Sequence, residues 1–578
     1  MSQQFSAATV ATHNKPTDLY IIVDGNVYDL TKFQDDHPGK LSNPFENSWV
    51  LQEYLSNKRT IGGKKILQRV AGKDASKLFW KYHNEGILKK YQAKLLVGSL
   101  DTNKPIETPV SKRQEPEVSS QTTVASPVSS EQNAKVTVQQ KNETHEGMES
   151  LGDMIPFADP SWYQGFYSPF YNSTHMDLAK EVRGWITATV EPHVNDWEEA
   201  KRVPEEIYKA MGTRGYLAGL VGTHYLTEYT GRRIASVAPE KWDLFHEVIL
   251  ADELSRPGSG GFIWNVIGGF SIGCPPLVKS GKEALKKRIL PEILNGDKRI
   301  CLAITEPDAG SDVANISCEA VLSKDGKHYI VNGEKKWITN GVWCDYFTTA
   351  VRTGTKESGM KGISVLLIER SFGGVNTRRM DCQGVWSSGT TYVTFEDVKV
   401  PVENLIGEEN KGFKVLMNNF NHERFGIIVQ SLRFSRVCYE ESVKYASKRH
   451  TFGKPLIRHP VIRLKLANMA RQIEAGYSWF ELLISQVSHM PEEIAMLRLG
   501  GPIAGLKAQS TMTFEFCARE ASQIFGGLSY SRGGQGAKVE RLYRDVRAYA
   551  IPGGSEEIML DLSMRQSLKV AEFMGMKL

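Results

Sequence analysis

Four short patterns in the chain bring together residue types that do chemistry. The run Ala303-Ile304-Thr305-Glu306-Pro307-Asp308-Ala309-Gly310-Ser311-Asp312 is made of small and polar residues. Such residues let backbone N–H groups and hydroxyls come close to a ligand. Val331-Asn332-Gly333, followed by Trp337-Ile338-Thr339-Asn340-Gly341, reads as strand, turn and strand, presenting an indole and a hydroxyl. Arg449-His450-Thr451-Phe452-Gly453-Lys454 lies inside a helical region. Each of these three, alone, also reads as a turn or as core packing. The fourth pattern is near the start. A strand with alternating Val27, Tyr28 and Leu30 leads to a His37-Pro38-Gly39 turn, and the aromatic-rich Asp74–Asn84 stretch brings a second imidazole, His83. Two neutral imidazoles in apolar surroundings clamp an iron porphyrin from both faces. The alternative is a pair of surface histidines.

The elements that must position these residues follow from composition and periodicity. The 578 residues are 41% hydrophobic and 24% charged, an ordinary globular balance that excludes a wholly disordered chain. Lysine and arginine number 71 against 66 acidic residues, leaving a net charge of +5. That is weak over this length, no long basic run occurs, and nucleic-acid binding is not indicated. No stretch of 18 or more apolar residues occurs, so no membrane-spanning helix is expected. The seven cysteines form no C-x-x-C pair and read as buried thiols of a reducing compartment. From Asp101 to Ser150 there is no Phe, Trp or Tyr. A stretch so poor in apolar surface does not offset its ordering entropy and reads as a disordered, flexible tether over 101–155. Beyond it, helical periodicity over Met176–Val190, Pro204–Gly215 and Trp242–Leu254 precedes a block of strands from about 301 to 402. Long amphipathic helices then return. Helices, strands, then helices indicate an α+β protein with segregated layers.

Taken together, the patterns carry two resemblances. The small module over about 17–100 resembles a cytochrome b5-like haem-binding domain. The resemblance implies a one-electron carrier holding haem b, an iron porphyrin, between the axial ligands His37 and His83. The family writes His-Pro-Gly-Gly and places its second histidine about two dozen residues on. Here Lys40 follows Gly39, and His83 lies 46 residues beyond His37. Deleting the 22 residues Lys40–Ile61 restores His-Pro-Gly-Gly-Lys-Lys-Ile-Leu and a spacing of 24. That segment reads as a retained intron.

The region from about 160 to 575 resembles the acyl-CoA dehydrogenase family nearly end to end. The resemblance implies an N-terminal helical domain over 156–300, a β domain over 301–405 and a C-terminal helical domain over 406–578. It further implies FAD, an acyl-CoA substrate and a homodimer or homotetramer. The family's FAD contacts fall on Thr305, Ser311, Trp337 and Thr339, with Ser311 also on the substrate side. Arg449 and Phe452 match a cross-subunit clamp on FAD, where a guanidinium fork suits a pyrophosphate. Gln523, Gly526 and Gly527 match a second cross-subunit contact. Ser555 and Glu557 match adenosine-side positions.

Most of the family carries its catalytic base as a Glu in a loop near the C-terminus. Here that position is Gly553. A minority branch, including isovaleryl-CoA and long-chain members, carries the base on a helix in a Glu-Arg pair. That implies Glu423 as the base and Arg424 as a contact to substrate or CoA. Glu556 is the nearest rival base, and His422 and His450 read as structural.

The expected reaction is FAD-dependent α,β-dehydrogenation of an acyl-CoA thioester, with electrons passed to the fused haem or to an external electron acceptor. Competing readings are an oxygen-using acyl-CoA or nitroalkane oxidase relative and a non-catalytic flavoprotein. The first residues lack a secretory h-region and an arginine-rich transit pattern, and Met576-Lys577-Leu578 is one residue from S-K-L. A cytoplasmic or peroxisomal location is expected, ahead of a mitochondrial one.

Overall fold

The computed structural model describes residues 3–35, 67–68, 70–76, 79–80, 85–101, 150–222 and 226–575. His37, His83, the segment 40–61 and residues 102–149 lie outside the described residues. The chain divides into two units, Met1–Glu146 and Gly147–Leu578.

In the small unit, β1 (Gln3–Phe5), β2 (Asn14–Lys15), β3 (Asp18–Val23), β4 (Asn26–Asp29) and β5 (Leu96–Leu100) form one sheet in the order β1-β5-β4-β3-β2. Only β1 and β5 run parallel. Helix α1 (Ala7–Thr12) is capped by the Ser6 side chain, which accepts from the Thr9 N–H. Helix α2 (Glu85–Leu95) leads into β5. Alternation along β3 and β4 puts Leu19, Ile21 and Tyr28 into an apolar cluster with Leu67, Ala71 and Ala75.

The large unit begins with helices. The main ones are α3 (Ser173–Thr189), α4 (Leu244–Ser255), α5 (Phe270–Ser280) and α6 (Glu283–Leu294). Asp243 caps α4 and His246 reaches back to its backbone N–H. The stretch Gly260–Ser280 is long and apolar enough to cross a membrane, but 78% of its most apolar window is buried inside the protein, as in a core helix. Strands β6 (Ile300–Ala303), β7 (Glu319–Leu322), β8 (His328–Ile338), β9 (Tyr346–Arg352), β10 (Ile363–Glu369), β11 (Val375–Arg379), β12 (Thr391–Pro401) and β13 (Leu405–Ile406) follow as one sheet. Its order is β11-β12-β8-β7-β9-β10-β13, with β6 added to β9 in parallel. Its core of Val331, Phe347, Leu366, Val393 and Phe395 is separate from the helical core.

The chain closes with long helices: α7 (Gly412–Lys448), α8 (Pro460–Ser488), α9 (Glu492–Phe525), α10 (Ala537–Ala550) and α11 (Glu556–Phe573). Buried charges tie the two helical blocks together. Arg433 on α7 donates to Asp252 on α4 at 3.0 Å and to Asp159 at 2.9 Å. Arg183 on α3 donates to Glu253 at 2.6 Å and also to Asp159 at 2.9 Å. Burial alone would raise the Asp159 carboxyl, but the Arg433 and Arg183 guanidiniums hold it well below the usual carboxylate range.

Two local expectations change. Asn332-Gly333 is not a turn but the middle of the single strand β8. Gly333 has φ +145°, and a Cβ there would stand 2.6 Å from the Cys318 Cα. The glycine therefore permits close strand approach beside a register shift against β12. The Arg449–Lys454 motif is not helical either. It forms a two-residue hairpin between α7 and α8, pairing β14 (His450–Thr451) with β15 (Lys454–Pro455). Phe452 and Gly453 both take positive φ at its tip, which no helix accommodates.

Candidate active site

A cavity of about 980 Å³ lies where the strands meet the helices. Loop 304–314 forms one wall, together with the end of β8; α4, α7 and the 551–554 loop form much of the rest. A buried ion pair holds the first wall. Lys335 Nζ donates to Glu306 at 2.8 Å and to the Ile304 carbonyl at 2.9 Å. Glu306 also accepts from the Ser317 and Cys318 N–H groups at 2.6 and 3.0 Å. The Glu306 carboxyl would rise on burial, but Lys335 and these donors keep it below the usual range. The fixed loop brings Thr305 and Ser311 to the cavity.

Trp337 and Thr339 line the same wall. Trp337 is 53% exposed and has φ +65°. A bulky residue in that left-handed conformation is strained, and here the strain turns an indole to the cavity. Asp545 accepts from the Gly260 and Val385 N–H groups at 3.0 and 2.7 Å. Arg544 stacks its guanidinium 3.8 Å from the Trp386 ring centre. Arg544 lines the cavity, and its Nη1 is buried without a hydrogen-bond partner among the described residues. An aromatic plate, three hydroxyls and a buried unmet donor fit a large planar ligand carrying polar groups.

Glu423, partly buried on α7, also lines the cavity. Burial raises its carboxyl above the ordinary value, while Arg424, Lys507 and His422 pull it the other way without reversing the shift. A carboxylate raised in this way is a better proton acceptor near neutral pH. Gly553 stands opposite at φ +66°, and a Cβ there would lie 3.8 Å from Glu423 Oε1. The helix position and the loop position therefore address one point in the cavity. Arg424 donates to the Gly553 carbonyl at 3.3 Å and to Asn421 at 3.1 Å.

Fully buried Lys507 on α9 ties down the same loop. Its Nζ donates to the Ala550 and Gly554 carbonyls at 2.9 and 2.8 Å. Burial lowers this ammonium to about 8, with Glu556 and Glu423 opposing. Lys507 went unread in the sequence because nothing local marks a lysine inside a long helix as buried.

The remaining sequence-derived positions are not gathered here. Arg449 and Phe452 lie on the exposed hairpin, with Phe452 96% exposed. Gln523, Gly526 and Gly527 are exposed at the end of α9. Within one chain none of the five reaches the cavity. Ser555 caps α11 by accepting from the Ile558 N–H, and Glu557 points to solvent. Glu556 accepts from the Thr511 hydroxyl at 3.2 Å and does not line the cavity. His450 is exposed. His422, read as structural, lines the cavity and stands 2.6 Å from Glu247, which lines it too.

Comparison with known proteins adds family and fold. Family models described as acyl-CoA dehydrogenase N-terminal, middle and C-terminal domains match residues 172–297, 301–398 and 410–568. A cytochrome b5-like heme/steroid binding domain model matches 6–101. The chain is 43% identical over 423 residues to acyl-CoA dehydrogenase AFT10-1 of Alternaria alternata, covering 72% of this chain and 97% of that protein. It is 42% identical over 421 residues to acyl-CoA dehydrogenase apdG of Emericella nidulans, covering 72% and 96%. Among solved structures, acyl-CoA dehydrogenase complexed with FAD from Bacillus anthracis matches with TM-score 0.63 and 28% identity, covering 72% of each chain. A glutaryl-coenzyme A dehydrogenase–glutaryl-CoA complex matches with TM-score 0.63 and 27% identity, covering 70% of this chain and 97% of that one.

Proposed function

The chain belongs to the acyl-CoA dehydrogenase family, with a cytochrome b5-like domain on the same polypeptide, and from that premise we propose that Glu423 is its catalytic base. Glu423 removes the α-proton of an acyl-CoA thioester, and an α,β-double bond forms. FAD, when bound, supplies the hydride acceptor for the β-carbon. Thr305, Ser311, Trp337 and Thr339, which line the cavity, would hold it. The observation that carries this reading is the convergence of Glu423 and Gly553 on one point of the cavity. The loop glycine leaves room for the helix carboxylate, and Lys507 and Arg424 hold that loop by its carbonyls. Burial raises the basicity of the carboxylate.

Oligomerisation completes the reading. Arg449, Phe452, Gln523, Gly526 and Gly527 then serve a neighbouring subunit's FAD. Their exposure in a single chain supports this, as does the apolar exposed set Ile558, Leu560, Met564 and Phe573 on α11.

His37 and His83 would hold haem b, which would supply a one-electron carrier. We assign this module as the acceptor of the electrons that dehydrogenation releases. A stretch of about 50 residues between the modules gives a high effective concentration.

The deciding experiment is an anaerobic visible spectrum before and after addition of acyl-CoAs, for the wild type and for Glu423→Gln. The wild type bleaches its flavin and then shifts its haem bands. Glu423→Gln keeps its flavin absorbance and does not bleach. Full turnover by that variant overturns the assignment.

A further inference from the structure

The inner walls of the cavity are apolar: Leu244, Val248 and Ala251 from α4, Phe425 and Val429 from α7, and Ile484 from α8. A polar pair lies among them. His422 Nε2 and Glu247 Oε1 lie 2.6 Å apart, a short charge-assisted contact across 175 residues of chain. Both side chains line the cavity, and Glu247 is only 7% exposed. Each has a second polar atom, Glu247 Oε2 and His422 Nδ1, buried with no hydrogen-bond partner among the described residues.

Such a pair does not serve stability well. Buried ions lose their hydration, and well-packed apolar side chains of similar size do as well or better. Two unmet polar atoms add to that cost. Catalysis as described gives neither residue a step of its own. What the pair offers is recognition, since a site built to hydrogen-bond a substrate group strongly rejects the analogue lacking it.

We propose that the Glu247–His422 pair selects an acyl thioester bearing a hydroxyl on its acyl chain; this rests on the dehydrogenase reading above. The carboxylate oxygen only accepts, and the imidazole nitrogen donates or accepts according to its protonation. A hydroxyl donates to Oε2 or exchanges a hydrogen bond with Nδ1. A plain alkyl chain satisfies neither atom. A terminal carboxylate is repelled by Glu247. Both atoms are shielded from water, so a hydroxyl reaches either one only when that side chain turns toward the cavity. His422 directly precedes Glu423, so the hydroxyl belongs within a few carbons of the reacting pair, not at a remote chain end.

The test compares hexanoyl-CoA with its 4- and 5-hydroxy forms on the full-length holoenzyme. At least one hydroxy form is expected to show a kcat/KM at least tenfold above hexanoyl-CoA. The Glu247→Leu/His422→Leu double variant is expected to lose or reverse that ratio. Glu247→Gln, a milder change that keeps the side chain's shape, is expected to reduce it. Hexanoyl-CoA turning over as well as every hydroxy form overturns the inference and leaves the dehydrogenase reading intact. A wild-type preference that survives in a folded double variant or in Glu247→Gln overturns the assignment to this pair. Failure of every thioester to bleach the flavin is a different result, and it defeats the dehydrogenase reading itself.

Discussion

Replacing Glu423 by Ala and Gly553 by Glu moves the proposed base from helix to loop without changing its target. Removing a general base costs roughly 10²–10⁴-fold in rate, or about 3–5 kcal/mol of barrier. Glu423→Ala is therefore expected to fall by that factor while its helix persists, alanine being the best helix former. The structure sets the cost of the second substitution. Gly553 has φ +66°, and a side chain there carries about 1–2 kcal/mol of left-handed strain. Its Cβ would also stand 2.6 Å from Ile427 Cδ1, so the relocation requires Ile427→Val, which deletes that atom. Ile→Val in a core costs about 0.5–1.5 kcal/mol. The sum, about 1.5–3.5 kcal/mol, is tolerable for a folded protein. The triple variant Glu423→Ala/Gly553→Glu/Ile427→Val should recover at least tenfold over Glu423→Ala in stopped-flow flavin bleaching. A folded, FAD-loaded triple variant no faster than Glu423→Ala would show that the two positions do not share a target.

Three further outcomes are expected. Lys507 is held at about 8 by burial against an ordinary 10.5, so the unfolded chain takes up this proton first as pH falls through that window. Its contribution to stability is present above pH 10.5, declines toward pH 8 and is flat below. The melting-temperature difference between wild type and Lys507→Met should therefore shift in favour of wild type from pH 8 to 9.5, by about 2 kcal/mol equivalent, and stay level from pH 6.5 to 7.5; a constant difference throughout contradicts this. Arg433→Met strips Asp252 and Asp159 of a buried cation and should destabilise by about 3–5 kcal/mol, read as a large fall in thermal midpoint or loss of soluble protein; an unchanged midpoint would mean the network carries no weight. His37→Ala and His83→Ala should each abolish the haem Soret band while acyl-CoA still bleaches the flavin, and deleting residues 40–61 should raise haem content; haem retained by both variants would mean other ligands.

Several features were readable one segment at a time. The aromatic-free stretch after Asp101 separated two modules by composition alone. Helical periodicity over Met176–Val190 and Trp242–Leu254 located helices observed at Ser173–Thr189 and Leu244–Ser255. Thr305, Ser311, Trp337 and Thr339 share a cavity wall because each belongs to a short motif whose conformation is local. Where local signals competed, the reading slipped. Asn332-Gly333 has turn chemistry, yet close packing against Cys318 keeps it inside a strand. The hairpin at Phe452-Gly453 was hidden by the helices on either side.

Other features exist only once the helices pack. Glu423 and Gly553 are far apart in sequence and opposed in space. His422 meets Glu247 because the ion pairs among Arg433, Asp252 and Asp159 join α7 to α4. Lys507 reaches the 550–554 loop because α9 passes beneath it. Periodicity and turn chemistry act over a few residues, so they show which face of an element is apolar. They carry no information about which distant side chain that face will meet. In this protein those distant meetings set the basicity of the carboxylate, the position of the loop opposite it and the polarity of the acyl wall.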